Sequence, residues 1–150
     1  MSGAALEDFL HGHGRIGLDT SIFIFLVERN PKYIELVRVI FRWLEGARAQ
    51  AVTSTVTMLE LLVSPYRAGD LKRVNDFYAL LSTYPHLSWI APTLEIADRA
   101  AQIRAELNLG TPDAIQAATA WMAGAGGFIS NDKAFRRWTS MDVLILDHLA

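Results

Sequence analysis

Apolar positions recur along this chain in two rhythms: short continuous runs bounded by Gly, Pro or polar residues, and longer stretches with a helical repeat. Continuous short runs suit strands buried on both faces, and the helical repeat suits the helices that cover them. Strands are expected at 15–18, 51–53, 87–90, 127–129 and 143–146. Between them, helices are expected at 20–28, 32–49, from Ser54 or Thr55 to 66, 69–83, 93–107, from Pro112 or Asp113 to 123, and briefly after Asp132. In the 32–49 helix, Tyr33, Leu36, Val37, Ile40, Leu44 and Ala47 recur at the spacing of one buried face. Residues 1–14 close on the polar stretch His11-Gly12-His13-Gly14 and read as a mobile N-terminal extension, leaving 15–150 as a single domain.

Strands alternating with helices imply an α/β fold, a five-stranded parallel sheet flanked by helices on both faces. Such sheets place ligands beyond the carboxyl ends of their strands, where the strand order reverses. Asp19 and Asp132 fall just past the first and fourth strands. Asp113 opens the helix that leads into the fourth, and Glu60 is the sole acid between Ser54 and Tyr66. An isolated carboxylate among apolar neighbours is costly unless a cation or hydrogen-bond donors compensate it. Four converging on one sheet edge point to an acidic pocket for a divalent metal.

Each acid also has a plainer account. Asp19, before Thr20 and Ser21, suits a helix cap, and so does Asp132 after Asn131. Thr111-Pro112-Asp113 suits a helix start with an acid in the first turn. Glu60 shares a helix face with Val56, Leu59 and Val63, where the plain account is a buried Arg partner. The conjunction of all four, not any member, carries the signal.

Composition narrows the remaining options. With 150 residues, 51% hydrophobic and 20% charged, the chain is long and apolar enough for one packed core. Without Cys, any metal must be held by oxygen or imidazole. The longest uninterrupted apolar run, 22–27, is too short for a membrane span, and the acidic start MSGAALEDFL does not resemble a signal peptide, so a cytoplasmic protein is expected. The net charge of −2 is no nucleic-acid signature, yet neutralising the four acids leaves 14 basic against 12 acidic residues, and 11 of the 14 are Arg.

Other candidates carry less. His11 and His13 lie in a glycine-rich arm, while His86 and His148 have no partner at ligand spacing. Trp43, Trp89, Trp121 and Trp138 suit core or interface positions, with Trp138 beside Arg136 and Arg137 also able to stack on a base. Gly124, Gly126 and Gly127 precede a strand, whereas a nucleotide-binding glycine loop follows one.

The segments LDTSIFIFLVE, TSTVTMLELLVSP, PDAIQAATA and SND, in this order and spacing, resemble the PIN-domain family, and within it the small stand-alone toxins of the VapC type. The resemblance spans nearly the whole chain from Arg15 onward. It implies a magnesium-dependent endoribonuclease, with manganese as the alternative ion, and a protein antitoxin that blocks the site. It equates Asp19, Glu60, Asp113 and Asp132 with the family's metal-site acids, Asp19 and Asp113 being the best candidates for direct ligands. Thr20, Ser21 and Ser130 would supply supporting hydroxyls. The chain departs from the commonest pattern in its N-terminal extension and in Lys133, where another acid commonly follows Asp132.

The stretch 22–27 is apolar all round its helix, so a second protomer, the antitoxin or the 32–49 helix must cover its outer side. A homodimer is therefore also expected. Two competitors differ in kind. A phosphoryl-transfer protein on a similar sheet lacks its key acids here, since Ser21 stands where a phosphatase needs its second Asp and Ala91-Pro92-Thr93 follows the third strand. A catalytically inactive PIN-like module that binds RNA or protein has no need of four crowded acids.

Overall fold

The computed structural model describes residues 2–150. Five strands, β1 (Ile16–Leu18), β2 (Ala51–Ser54), β3 (Leu87–Ile90), β4 (Gly127–Ser130) and β5 (Asp142–Ile145), form one sheet in the order β3-β2-β1-β4-β5. All four pairings are parallel. The chain builds outward from β1 to β2 and β3, then returns to β1's other side for β4 and β5. The order thus reverses between β1 and β4, and a crevice opens beyond their carboxyl ends.

Seven α-helices among the described residues cover the sheet: α1 (Ser2–His11), α2 (Thr20–Val27), α3 (Ile34–Leu44), α4 (Val56–Arg67), α5 (Leu71–Ser82), α6 (Leu94–Leu107) and α7 (Thr111–Met122). Two 3-10 turns, Lys133–Arg137 and Leu146–His148, follow β4 and β5. Alternation along the strands sorts the core into two layers. Ile16, Leu18 and Ile129 pack with α1, α2 and α3, while Phe128 and Ile145 pack with α6 and α7. Gly17 faces the second layer, where an added Cβ would lie 2.5 Å from Ala120 Cβ and 2.9 Å from Phe128 Cδ1. Only a glycine lets α7 lie this close to β1, one residue short of Asp19's own strand end.

The described part of the N-terminal extension packs against the domain. Leu6 and Leu10 are fully buried in the α3 layer, and the helix that carries them runs through His11. His13 Nε2 lies 2.7 Å from Asp142 Oδ2, and Phe9 and His13 press on Gly126 and Gly127, where a Cβ would come within 3.0 Å of their rings. The α3 helix is shorter than its periodicity suggests. It stops at Leu44 before Gly46, a poor helix former, and leaves Ala47 exposed. Trp138 is buried against Phe128 and Phe135 rather than free to stack on a base.

Within α2, Ile22 and Phe23 are buried, and Ile24 to Val27 are half-buried. Phe25 stacks on Tyr33 with ring centroids 4.3 Å apart, so the monomer itself covers much of this apolar helix. No helix among the described residues is long and apolar enough to cross a membrane.

Candidate active site

Asp19 follows the last residue of β1 and caps α2. Its backbone N–H bonds the Ile129 carbonyl, continuing the β1–β4 pairing by one residue and aiming the side chain over the switch point. Thr20 N–H donates to Asp19 Oδ1 at 2.7 Å, and the Ser130 hydroxyl donates to Oδ2 at 2.5 Å. Asp132 is held next door: its N–H bonds Ser130 Oγ at 2.9 Å, and its Oδ1 caps the 3-10 turn through the Ala134 N–H. Ser21 Oγ accepts from the Asn131 N–H, tying α2 to the same loop. Asp19 and Asp132 are therefore caps and pocket acids at once.

Asp113 caps nothing. Gly110 occupies the cap position of α7, and Asp113 stands in the first turn with Pro112 before it. It instead faces Asp19, Asp132 and Glu60, whose charges bear on its carboxyl. Among the described residues Glu60 has no Arg partner; it accepts from the Thr20 hydroxyl at 2.7 Å. Contrary to the burial its apolar neighbours suggest, Glu60 is exposed, and so are Leu59 and Val63. It reaches the site from the open side of α4.

All four acids line one pocket of about 630 Å³, together with Thr20, Ser21, Ile24, Phe25, Asn131 and Lys133. Burial pushes the Asp19 carboxyl up to about 6, with the charges of Glu60 and Asp132 adding to it and the Ser130 and Thr20 hydrogen bonds opposing. Burial, then the charges of Asp19, Asp132 and Glu60, push Asp113 up to about 7. Both shifts record negative charge that the protein leaves uncompensated. The one cation on the wall, Lys133, points its ammonium toward Asp147 at 3.7 Å.

Among the described residues, no three His, Asp or Glu side chains stand close enough to share an ion, while Asp19 is held by Thr20 and Ser130 and Glu60 by Thr20. As a donor set the pocket nevertheless suits a hard divalent ion, being oxygen-only and short of positive charge.

Sequence reasoning misses a buried layer beneath the acids. Gln116, Thr53 and Thr57 are each at most 2% exposed and hydrogen-bond among themselves and with Thr20. The signal for Gln116 is present in the sequence, since it is the only amide in the stretch AIQAATA.

Solved structures with this architecture include VapBC-1 from nontypeable Haemophilus influenzae, at 22% identity and a TM-score of 0.67 over 89% of this chain and 98% of that one. DNA-bound VapBC from Salmonella typhimurium matches at 20% identity and a TM-score of 0.64, over 88% of this chain and 98% of that one. A toxin-antitoxin complex from Klebsiella pneumoniae matches at 21% identity and 0.63, over 88% and 97%. No curated protein sequence matches. The family profile of the PIN domain matches residues 16–139, from the first residue of β1 to just past the turn after Asp132, and the chain belongs to the PIN domain family.

Proposed function

We propose that this protein is a magnesium-dependent endoribonuclease that hydrolyses RNA phosphodiester bonds and serves as the toxin of a toxin-antitoxin pair. The observation that carries the reading is the shared pocket: four acids from four separate segments open onto one crevice at the β1–β4 switch point. A divalent ion held there would make a water a better nucleophile and offset charge gathering on the phosphoryl oxygens during in-line displacement. Asp19 and Asp113 are the assigned direct ligands, with Glu60 and Asp132 completing the set; manganese would serve in place of magnesium. Asp19 and Glu60 must exchange hydrogen bonds from Thr20 and Ser130 for the ion, and at mildly acidic pH Asp113, pushed up to about 7, must release a proton. Thr20, Ser21 and Ser130 orient the acids through the bonds described above.

An antitoxin and a second protomer are the proposed partners. Leu59, Val63 and Tyr66 support them, since they are 64%, 38% and 58% exposed on the helix that carries Glu60. Apolar side chains beside the pocket mouth suit a protein that covers both. A non-cleaving RNA- or protein-binding module is the competing reading, favoured by the absence of a preformed ligand trio among the described residues.

The test is RNA cleavage by purified protein freed of any inhibitor, titrated with magnesium and manganese, with Asp113→Ala and Asp19→Asn as controls. Cleavage that needs the ion, stops with chelator and is lost in both variants is expected. RNA left intact by the wild-type protein at every ion concentration would overturn the nuclease and favour the binding module.

A further inference from the structure

Gln116 lies one turn beyond Asp113 on α7 and is 2% exposed. It does not line the acid pocket. Its carbonyl oxygen accepts from the Ser54 backbone N–H at 3.2 Å, so reversing the amide would set two donors against each other. The amide nitrogen therefore points the other way, donating to Thr57 Oγ1 at 2.7 Å and to Thr20 Oγ1 at 3.1 Å.

The shortest contacts then order the remaining protons. Thr53 Oγ1 lies 2.9 Å from the Leu18 carbonyl and 3.4 Å from Gln116 Oε1, both acceptors only, so its proton goes to them and it accepts from Thr57 at 2.7 Å. Thr57, with its proton committed, cannot donate to Thr20. Thr20 accepts from Gln116, and its own proton can turn to Thr57 at 3.2 Å or to Glu60 Oε1 at 2.7 Å. The shorter bond to a carboxylate wins. A directed chain thus runs from the Gln116 amide through the Thr20 hydroxyl to Glu60.

We infer that Gln116 is a positioning residue: by donating to both Thr57 and Thr20 it holds the Thr20 hydroxyl where its proton reaches Glu60, and so keeps an exposed side chain of α4 at the pocket in register with Asp113, on Gln116's own helix. An apolar side chain at 116 would remove both donations and leave the Thr20 hydroxyl free to move away from Glu60. The consequence for function rests on the divalent-ion reading above; the direction of the chain does not.

Two measurements on the full chain test it. In calorimetric titration with manganese, Gln116→Met and Thr20→Val should each weaken binding about ten-fold, in line with losses seen when groups behind a metal ligand are removed. Thr20→Ser should restore binding, and the double variant Gln116→Met with Thr20→Val should lose no more than either single one. Wild-type affinity in Gln116→Met, or losses that multiply in the double variant, would overturn the inference. If Gln116→Met does not fold, wild-type affinity in Thr20→Val overturns it equally. In metal-free protein, proton NMR should show a slowly exchanging Thr20 hydroxyl with a contact to the Gln116 amide protons. Its absence overturns the chain whatever the metal does, whereas a wild-type protein that shows this proton and takes up no manganese overturns only the ion reading.

Discussion

Ser130 at the end of β4 gives its hydroxyl proton to Asp19 at the end of β1, bridging the seam where the strand order reverses. This bond is the largest influence opposing the burial that raises Asp19. Removing it should raise that carboxyl further. A hydrogen bond to a charged group is worth about 1.5–3 kcal/mol, so Ser130→Ala should move Asp19 up by roughly one to two pH units. Carbon-detected NMR titration of the Asp19 carboxyl in metal-free protein measures this, and an unmoved midpoint would show that the bond contributes nothing in solution.

The crowded acids should make the metal-free protein more stable in mild acid. Asp19 rises from its ordinary value of 3.8 to about 6, so between those limits the folded chain binds a proton that the unfolded chain does not. The penalty is fully present above the folded value and is relieved as pH falls toward the unfolded one. For Asp19, which is 5% exposed, it is on the order of 3 kcal/mol. Asp113, pushed up to about 7, acts in the same direction. Asp147 acts oppositely: Lys32 and Tyr33 hold it down at about 2, and the stability it contributes is lost as pH falls from about 4 through that value. Melting temperature measured with chelator present should therefore rise from pH 8 to about pH 5 and then fall. Asp19→Asn should flatten the rise; a wild-type curve that instead climbs toward pH 8 would contradict the assigned crowding.

Gly17 should tolerate no side chain. A Cβ there would approach Ala120 Cβ to 2.5 Å, and neither β1 nor α7 can yield cheaply because both are packed on their other sides. Overpacking of this kind costs about 1–3 kcal/mol, so Gly17→Ala should lower the urea midpoint and shift α7. Since Asp113 and Gln116 ride on that helix, divalent-ion affinity should fall as well. Unchanged stability with unchanged affinity would mean that the contact is looser than it looks.

The N-terminal helix shows where sequence patterns stop being legible. Leu6, Phe9 and Leu10 stand at helical spacing, but three apolar residues followed by His11-Gly12-His13-Gly14 give no sign of what they pack against. That information lies in α3 and in the bare faces of Gly126 and Gly127, far along the chain. The strands are readable because buried parallel strands are short apolar runs with clear punctuation, whereas their order in the sheet is not. Asp19, Asp113 and Asp132 are readable because they fall at strand ends and helix starts. Glu60 is singled out for the wrong physical reason, since its apolar neighbours signal an exposed surface rather than a buried one. Thr53, Thr57 and Gln116 stay hidden because polar side chains in a helix or strand normally mark the solvent side. Leu10→Ala should cost about 2–5 kcal/mol in denaturant unfolding, as deletion of a fully buried Leu does. A loss below half a kcal/mol would return the segment to the status of an appendage.

Ion binding and proton binding should compete for the same oxygens. Asp19 and Asp113 carry protons more readily than ordinary carboxyls, and a divalent ion must displace them, so uptake releases protons and weakens in acid. At pH 8 both acids are mostly ionised and repel; an ion then removes the penalty that destabilises the metal-free fold. At pH 5 that penalty is already relieved by protonation, and little remains for the ion to correct. Magnesium or manganese held at about 100 times its pH 8 dissociation constant should therefore stabilise the protein by about 3 kcal/mol at pH 8 and far less at pH 5, where binding is weaker. Paired thermal melts with ion and with chelator at the two pH values measure the difference. Equal stabilisation at both would mean that the ion binds away from Asp19 and Asp113, and no stabilisation at either would remove the metal from the site altogether.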